Sequence, residues 1–310
     1  MKIMFMGTPD FAVESLKALT EYGYDVISVV TQPDKKKGRG HKTAHPPVYE
    51  YAYENGIKIF QPENLKRENF EDILKDENPQ LIVVAAYGKI LPEYVLGFPK
   101  YGCINVHASL LPKYRGAAPI QRCIIDGEKV SGVTIMRMEK GLDTGDMILS
   151  EKVDITEDDN YETLHDKLAE AGKKALINAV LQIENGTAKY TKQDDSKSSY
   201  ASMIDKETAK IDFSKPALSI FNLARGLYPY PKAQTLYDGR LMKICRCKAC
   251  GDKNGGADGE ITDVCKKSFF VSCGDGTLEV ISIQTEGKRE MTVEDYLKGN
   301  TIEKGKILGV

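Results

Sequence analysis

Residues 103–119 read CINVHASLLPKYRGAAP. A short apolar run, Ile104 to Val106, holds Asn105 within it and finishes on His107; Pro112, Gly116 and Pro119 then break any regular pattern. Side chains alternate along a strand, so Asn105 and His107 project to the same side of the sheet edge. A buried strand has no packing reason to end in an amide and an imidazole. In open α/β sheets ligands bind beyond the carboxyl ends of the strands, and there such a pair acquires a chemical use.

Working outward, the first ~190 residues alternate short apolar runs with amphipathic stretches, the pattern of strand-helix-strand units around a mostly parallel sheet. The strand candidates are Ile3 to Met6, Val26 to Thr31, Ile57 to Phe60, Leu81 to Ala86 and Ile104 to Val106, which makes the run at 104 the fifth. Helical spacing covers Phe11 to Glu21, Pro47 to Asn55 and Asn160 to Ile183, with Asn160 as N-cap and Gly186 as the stop. Gly7-Thr-Pro-Asp-Phe11 follows the first strand where a dinucleotide fold carries G-x-G-x-x-G; the pattern is absent, which disfavours a Rossmann-type cofactor. Those residues read instead as a turn and helix start with Asp10 near the N-terminus.

Residues 187 to about 205, TAKYTKQDDSKSSYASMID, are polar and Ser-rich with little periodicity. That is the composition of a linker. Beyond it, β-like pieces at Ala233 to Tyr237, Leu241 to Cys247, Phe269 to Cys273 and Thr277 to Ile283 alternate with turn signals such as Asp238-Gly239 and Gly274-Asp-Gly276, predicting a small barrel or sandwich. The expected division is a catalytic domain over 1–189, a linker over 190–205 and a second domain over 206–310.

The 310 residues carry a net charge of -2, so the chain as a whole lacks a nucleic-acid signature. The balance is uneven, with +3 over 206–310 against -5 before it, which suits a nucleic-acid-facing second domain as well as an ordinary solvated surface. The longest apolar run, Leu81 to Tyr87, cannot span a bilayer, and Gly7 and Pro9 interrupt any signal-type stretch; a cytoplasmic protein is expected. Seven cysteines are an odd number for a disulfide framework, so reduced thiols are the default. Cys245, Cys247 and Cys250 make a zinc site conceivable, but the alternation from Met242 to Cys247 fits a half-buried strand equally well, and no metal is expected.

An imidazole can hand over a proton near neutral pH, and an amide beside it can stabilise an oxyanion, so Asn105 and His107 suit attack on a carbonyl. A carboxylate is needed to orient the imidazole. Asp143, in Gly141-Leu-Asp-Thr-Gly-Asp146, is the first candidate because the glycines permit a tight loop over the sheet edge; Asp146 is the second. A histidine in a loop also has structural uses, and His41, His45 and His165 are the others available.

The set Asn105-x-His107, Ser109-Leu-Leu-Pro112, Arg115-Gly-Ala-Ala-Pro119 and Leu142-Asp-Thr-Gly145 resembles the folate-dependent formyltransferases, and among them the branch that formylates methionyl-tRNA. The resemblance runs through Gly7-Thr-Pro-Asp-Phe-Ala12, Thr31-Gln-Pro-Asp34 with Gly38-Arg-Gly40, Val84-Ala-Ala-Tyr-Gly88 with Ile90-Leu-Pro92, and Arg225-Gly-Leu-Tyr-Pro-Tyr-Pro231. It implies a Rossmann-like formyltransferase domain followed by an OB-like β-barrel. The implied reaction moves a formyl group from 10-formyltetrahydrofolate to the α-amino group of methionine on initiator tRNA, through an oxyanion.

On that resemblance Asn105 and His107 stabilise the oxyanion, His107 donates the proton, and Asp143 orients His107 and assists proton movement. Ser109, Leu110, Leu111 and Pro112 match the folate-contacting segment; Ala86, Tyr87, Gly88, Gly141, Leu142 and Thr144 match the lining of the pteridine pocket. The loop from Gln32 to Lys42 holds Lys35, Lys36, Lys37, Arg39 and Lys42, and the family grips the acceptor end of tRNA there, with Arg39 at the key position. A monomer is expected. Tyr230 stands where relatives often carry Trp, and the cysteine cluster matches no family feature. Other folate-dependent formyltransferases and hydrolases share the Asn-x-His and Asp set, and a non-catalytic tRNA- or folate-binding module shares the fold; the basic loop and the second domain favour tRNA, and the intact set favours catalysis.

Overall fold

Why Asn105 and His107 meet a carboxylate follows from the order of the strands. The computed structural model describes residues 1–37, 42–251 and 255–309, with backbone alone at 35–37 and 42–43. They fall into two units: Met1–Gly116 with Val130–Asp154 and His165–Ala201, and Ala117–Lys129 with Ile155–Leu164 and Ser202–Val310.

The first unit begins with β1 (Lys2–Gly7), α1 (Asp10–Glu21), β2 (Asp25–Val30), the hairpin β3 (Lys35–Lys37) and β4 (Lys42–Ala44), α2 (Pro47–Glu54) and β5 (Lys58–Phe60). There follow α3 (Arg67–Glu77), β6 (Leu81–Ala85), α4 (Glu93–Leu96), β7 (Cys103–His107) and the two-residue β8 (Arg115–Gly116). After α5 (Pro119–Ile125), which belongs to the second unit, come β9 (Val130–Arg137), β10 (Met147–Asp154), the long helix α6 (Tyr161–Glu184) and the two-residue β11 (Tyr200–Ala201).

Seven strands form one sheet in the order β10-β9-β7-β6-β1-β2-β5. The five from β5 to β7 run parallel, and β9 and β10 join antiparallel at the β7 side. The chain builds outward from β1 to β5 in one direction, then returns to build β6 and β7 in the other, so the strand order switches beside β1. The carboxyl ends at that switch are where such a sheet leaves a crevice. Residues 3–6 and 81–85 are buried throughout, which is why these strands read as continuous apolar runs rather than alternating ones. Gly7 is fixed by packing: a Cβ there would lie 2.7 Å from the Ala12 side chain and 2.9 Å from the Ala85 carbonyl.

Beside the predicted elements the unit contains several that sequence patterning did not supply. The helix α3, RENFEDILKDE, buries only Phe70 and Leu74, too few apolar positions to stand out among eight polar or charged neighbours. Strands β9 and β10 flank the Asp143 loop and carry it to the sheet edge. The stretch expected as a linker divides: 190–201 lies in the first unit, with β11 pairing parallel to β8, and 202–205 in the second.

The second unit packs α5 and α7 (Ala217–Gly226) together with an antiparallel sheet ordered β12 (Ala233–Tyr237), β13 (Arg240–Cys250), β16 (Thr277–Thr285), β15 (Phe269–Ser272) and β14 (Ile261–Val264), with β17 (Met291–Thr292) on β16 and α8 (Val293–Leu297) after it. Close approach of the two helices needs Gly226, whose Cβ would sit 2.8 Å from Ile125. Arg225 is buried and spends its charge on backbone, donating to the Thr156 and Asp159 carbonyls at 2.8 and 3.0 Å and to Asn222 at 2.9 Å. The two outer strands, β12 and β14, are bridged by the C-terminal segment: Ile261 donates to the Lys306 carbonyl, Leu308 to that of Gly259, and Gly309 to that of Leu236. Sheet edges left bare invite pairing with other chains; here the last residues cover both.

Candidate active site

At the carboxyl end of β7, His107 is 5% exposed and Asn105 half-buried, both on the face expected from strand alternation. Asp143 comes to them from the loop between β9 and β10. Its Oδ2 lies 3.7 Å from His107 Nδ1, its Oδ1 accepts a long bond of 3.4 Å from the Asn105 amide, and its Oδ2 accepts from the Gly116 backbone N–H at 2.9 Å. The imidazole is held from the other side, where Nε2 meets the Tyr114 carbonyl at 2.9 Å. A carbonyl only accepts, so Nε2 carries a proton and Nδ1 is the nitrogen turned toward the carboxylate. The 3.7 Å separation is longer than a hydrogen bond, a spacing that tightens in many active sites only when substrate is present. Asp146, the alternative carboxylate, directs its backbone carbonyl to the Arg137 N–H, and no bond joins its side chain to His107.

The backbone around this set is unusually bent. Of six non-glycine residues with positive φ among the described residues, Ala86 (44°), Tyr114 (60°) and Asp143 (53°) lie here. Each such residue costs about 1–3 kcal/mol and persists only where its surroundings fix it, and such residues cluster at functional sites. Gly88, Gly116 and Gly141 add positive φ of their own, and at Gly88 a Cβ would come within 2.5 Å of the Gln32 side chain.

The segment expected to contact folate forms a tight turn after β7. Ser109 Oγ donates to the Lys113 carbonyl at 2.7 Å, Thr134 Oγ1 donates to the Ser109 carbonyl and accepts from the Leu111 N–H, and Leu111-Pro112 is a cis peptide. Ser109 and Leu111 are buried, Leu110 and Pro112 partly so. Ala86 and Gly88 are exposed; Tyr87 is buried between them, its carbonyl taking bonds from Thr8 and Gln32 and its phenol pushed up to about 12 by desolvation. Gly141, Leu142 and Thr144 are exposed. The two groups converge on one strand end: Val84 pairs with Asn105, and Asn105 reaches Asp143.

Lys35, Lys36, Lys37 and Lys42 lie on the paired strands β3 and β4, with Lys37 opposite Lys42. Arg39 lies outside the described residues. His45 and His165 are engaged elsewhere, with Asp34 and with Asp166 and the Phe11 ring. Cys245 and Cys247 occupy buried positions of β13, and among the described residues no group of three His, Cys, Asp or Glu is placed to hold a metal.

Sequence reasoning did not find the backbone partners Tyr114 and Gly116, or Gln193. Gln193, within the polar stretch, is 5% exposed and donates to the carbonyls of Asp143 (2.8 Å) and Gly145 (2.7 Å). No local pattern marks it, because its partners lie 48 to 78 residues away.

Residues 1–180 match the formyl transferase family and 203–301 its C-terminal domain. The chain is 50% identical over 309 residues to the methionyl-tRNA formyltransferase of Caldanaerobacter subterraneus subsp. tengcongensis, covering 99% of this chain and 100% of that one. The chain belongs to the methionyl-tRNA formyltransferase family. The methionyl-tRNA formyltransferase of Clostridium novyi is likewise 50% identical, over 98% of both chains. For the fold, WlaRD, a sugar 3N-formyl transferase crystallised with dTDP and 5-N-formyl-THF, superposes with a TM-score of 0.69 at 24% identity over 93% of this chain and 99% of its own. As a methionyl-tRNA formyltransferase family member, the chain thus has the expected Rossmann-like domain with a mostly parallel sheet and a small antiparallel β domain.

Proposed function

We propose that this chain transfers the formyl group of 10-formyltetrahydrofolate to the α-amino group of methionine on initiator methionyl-tRNA, acting as a monomer in the cytoplasm. The observation that carries the reading is the meeting of Asn105, His107 and Asp143 at one strand end, in a chain whose whole length matches methionyl-tRNA formyltransferases. No helix among the described residues is long and apolar enough to cross a membrane.

The site's donor set fits the folate. Backbone at Ala86, Gly88 and Gly141, exposed and turned to positive φ, offers peptide groups to a flat heterocycle, while Leu110, Leu111, Pro112 and Leu142 supply apolar contact and Tyr87 and Thr144 complete the wall. The bound folate supplies the electrophilic formyl carbon. Asn105 has a second amide N–H besides the one facing Asp143, and that N–H, with the imidazole once it carries a proton on Nδ1, stabilises negative charge as it develops on oxygen. Loss of one such donor costs about 10²–10³ in rate. Asp143, fixed by the Gly116 N–H, stands 3.7 Å from Nδ1 and stabilises positive charge on the ring, so Nδ1 can take the proton the attacking amine loses and pass it to the departing folate nitrogen without the ring turning.

Recognition of tRNA falls to Lys35, Lys36, Lys37, Arg39 and Lys42, with 206–310 as the tRNA-facing domain. Phosphate contacts make binding fall steeply with salt. Arg39→Ala should lower formylation at limiting tRNA and flatten that salt dependence; a rate equal to the parent's removes the loop from the reading.

The deciding experiment offers purified protein 10-formyltetrahydrofolate with methionyl initiator tRNA, with glycinamide ribonucleotide, and with no acceptor. Formyl transfer to the tRNA alone is expected. Transfer to the small acceptor, or release of formate, would retain the site chemistry and reject the acceptor.

A further inference from the structure

We infer that Gln193 is a positioning residue for the transfer reaction, acting through Asp143; the inference rests on the catalytic reading of Asp143 given above. Every hydrogen-bonding valence of its amide is in use. The two N–H groups donate to the carbonyls of Asp143 and Gly145, and the oxygen accepts from Arg115 Nε at 3.0 Å and Arg115 Nη2 at 2.8 Å. Four partners of fixed polarity determine which way the amide points: only its nitrogen can face two carbonyls, and only its oxygen can face a guanidinium.

What these bonds join matters more than their number. On one side they grip the peptide of Asp143 itself, the residue held at φ 53°, together with Gly145 two positions on. On the other they grip Arg115, next to Gly116, whose N–H donates to the Asp143 carboxylate. Gln193 therefore sets the distance between the carboxylate and its donor from both ends. The neighbouring chain repeats the device: Arg115 N–H donates to the Ser199 carbonyl, and the Tyr114 N–H to the Ser199 hydroxyl at 2.9 Å, which anchors the residue whose carbonyl holds His107. Residues 193–201 thus form a strap under both partners of the imidazole. The guanidinium is pinned once more by Asp195 at 2.7 Å.

A residue of this kind alters the geometry of the reacting groups and leaves the substrate surfaces alone. Misplacement by about 1 Å costs up to about 10²-fold in rate. Gln193→Leu removes all four bonds at similar size; Gln193→Glu keeps the reach to Arg115 and loses the two donated bonds. Each is measured in the full chain, alone and with Asp143→Asn, for kcat and for KM of both substrates, with thermal unfolding as the check on folding and exposed Lys192→Ala as the control on the strap.

The expected result is kcat lower by about 10–100-fold in either Gln193 variant, with KM within about threefold and Lys192→Ala at the parental rate. In the Asp143→Asn background the same substitutions should cost less than about threefold more, because residues acting as one unit are not additive. Parental kcat in the Gln193 variants beside an inactive Asp143→Asn overturns the strap and leaves the catalytic reading standing. Fully additive losses, or losses confined to KM, overturn it as well. Turnover retained by Asp143→Asn overturns the catalytic reading, and the strap falls with it.

Discussion

At the scale of single residues, the meeting of three side chains was legible in Asn105-x-His107 because strand periodicity alone aligns those two, and in Asp143 because an acid between Gly141 and Gly145 can occupy a tight loop. What holds them was not legible. The Tyr114 carbonyl and the Gly116 N–H are backbone groups, identical in every sequence, and only the left-handed φ at Tyr114 and Asp143 aims them. His107→Ala and Asp143→Ala should each lower kcat by about 10²–10³ while leaving thermal stability and tRNA binding near parental values. Steady-state formylation beside a tRNA-binding titration checks this; near-normal turnover in both variants would remove the pair from the mechanism.

Among the elements, β1, β2, β6 and β7 declared themselves through buried apolar runs, and α1 through its buried stripe of Phe11, Ala12, Leu16 and Leu19. The helix α3 did not, since of its three apolar residues only Phe70 and Leu74 are buried, with Ile73 half-buried against the core they share with Met4, Ile82 and Val95. Leu74 is fully buried in that core: Leu74→Ala should cost about 2–5 kcal/mol, read as a lowered midpoint in chemical unfolding. Glu14 on α1 illustrates a coupling no single-element pattern reveals. Burial alone would raise its pKa, yet bonds to Lys173 of α6 and to Lys17 hold it below the usual 4.5. The lowered carboxylate contributes stability in full above 4.5 and loses it as pH falls through the folded value. Glu14→Gln should therefore be less stable than the parent at neutral pH, by less than about 1 kcal/mol for so exposed a pair, and the difference should close on acidification. Paired thermal melts from pH 7 down to acid would show it; a constant difference would rule the coupling out.

For the molecule as a whole, the two-part organisation was visible in the change from helix-strand alternation to short strands with turns. The place where the chain crosses between units was not, because α5 and residues 155–164 leave the first unit's sequence to join the second. Polar composition over 187–205 looked like a linker for a physical reason: Gln193, Ser199 and Asp195 are polar because they bond to the site loops. The cysteines give a test of the global packing. Cys103, Cys123, Cys245, Cys247 and Cys273 are buried, and burial pushes the thiols of Cys103, Cys245 and Cys247 up to about 12. Only the thiolate reacts, so alkylation of the native protein near pH 8 should modify Cys265 first, Cys250 more slowly, and the other five only on unfolding. Peptide mapping by mass spectrometry reads the order, and early labelling of Cys247 would contradict the packing of β13.

The strap has a consequence in time. Gln193 follows Asp143 by 50 residues, so a nascent chain presents Asn105, His107 and Asp143 well before the amide that clamps their loop. At about 5–20 residues per second on the ribosome, that interval is roughly 3–10 s. Throughout it the growing polypeptide holds Asn105, His107 and Asp143 without the bonds that fix their loop, and the last part of the first unit to be translated supplies them.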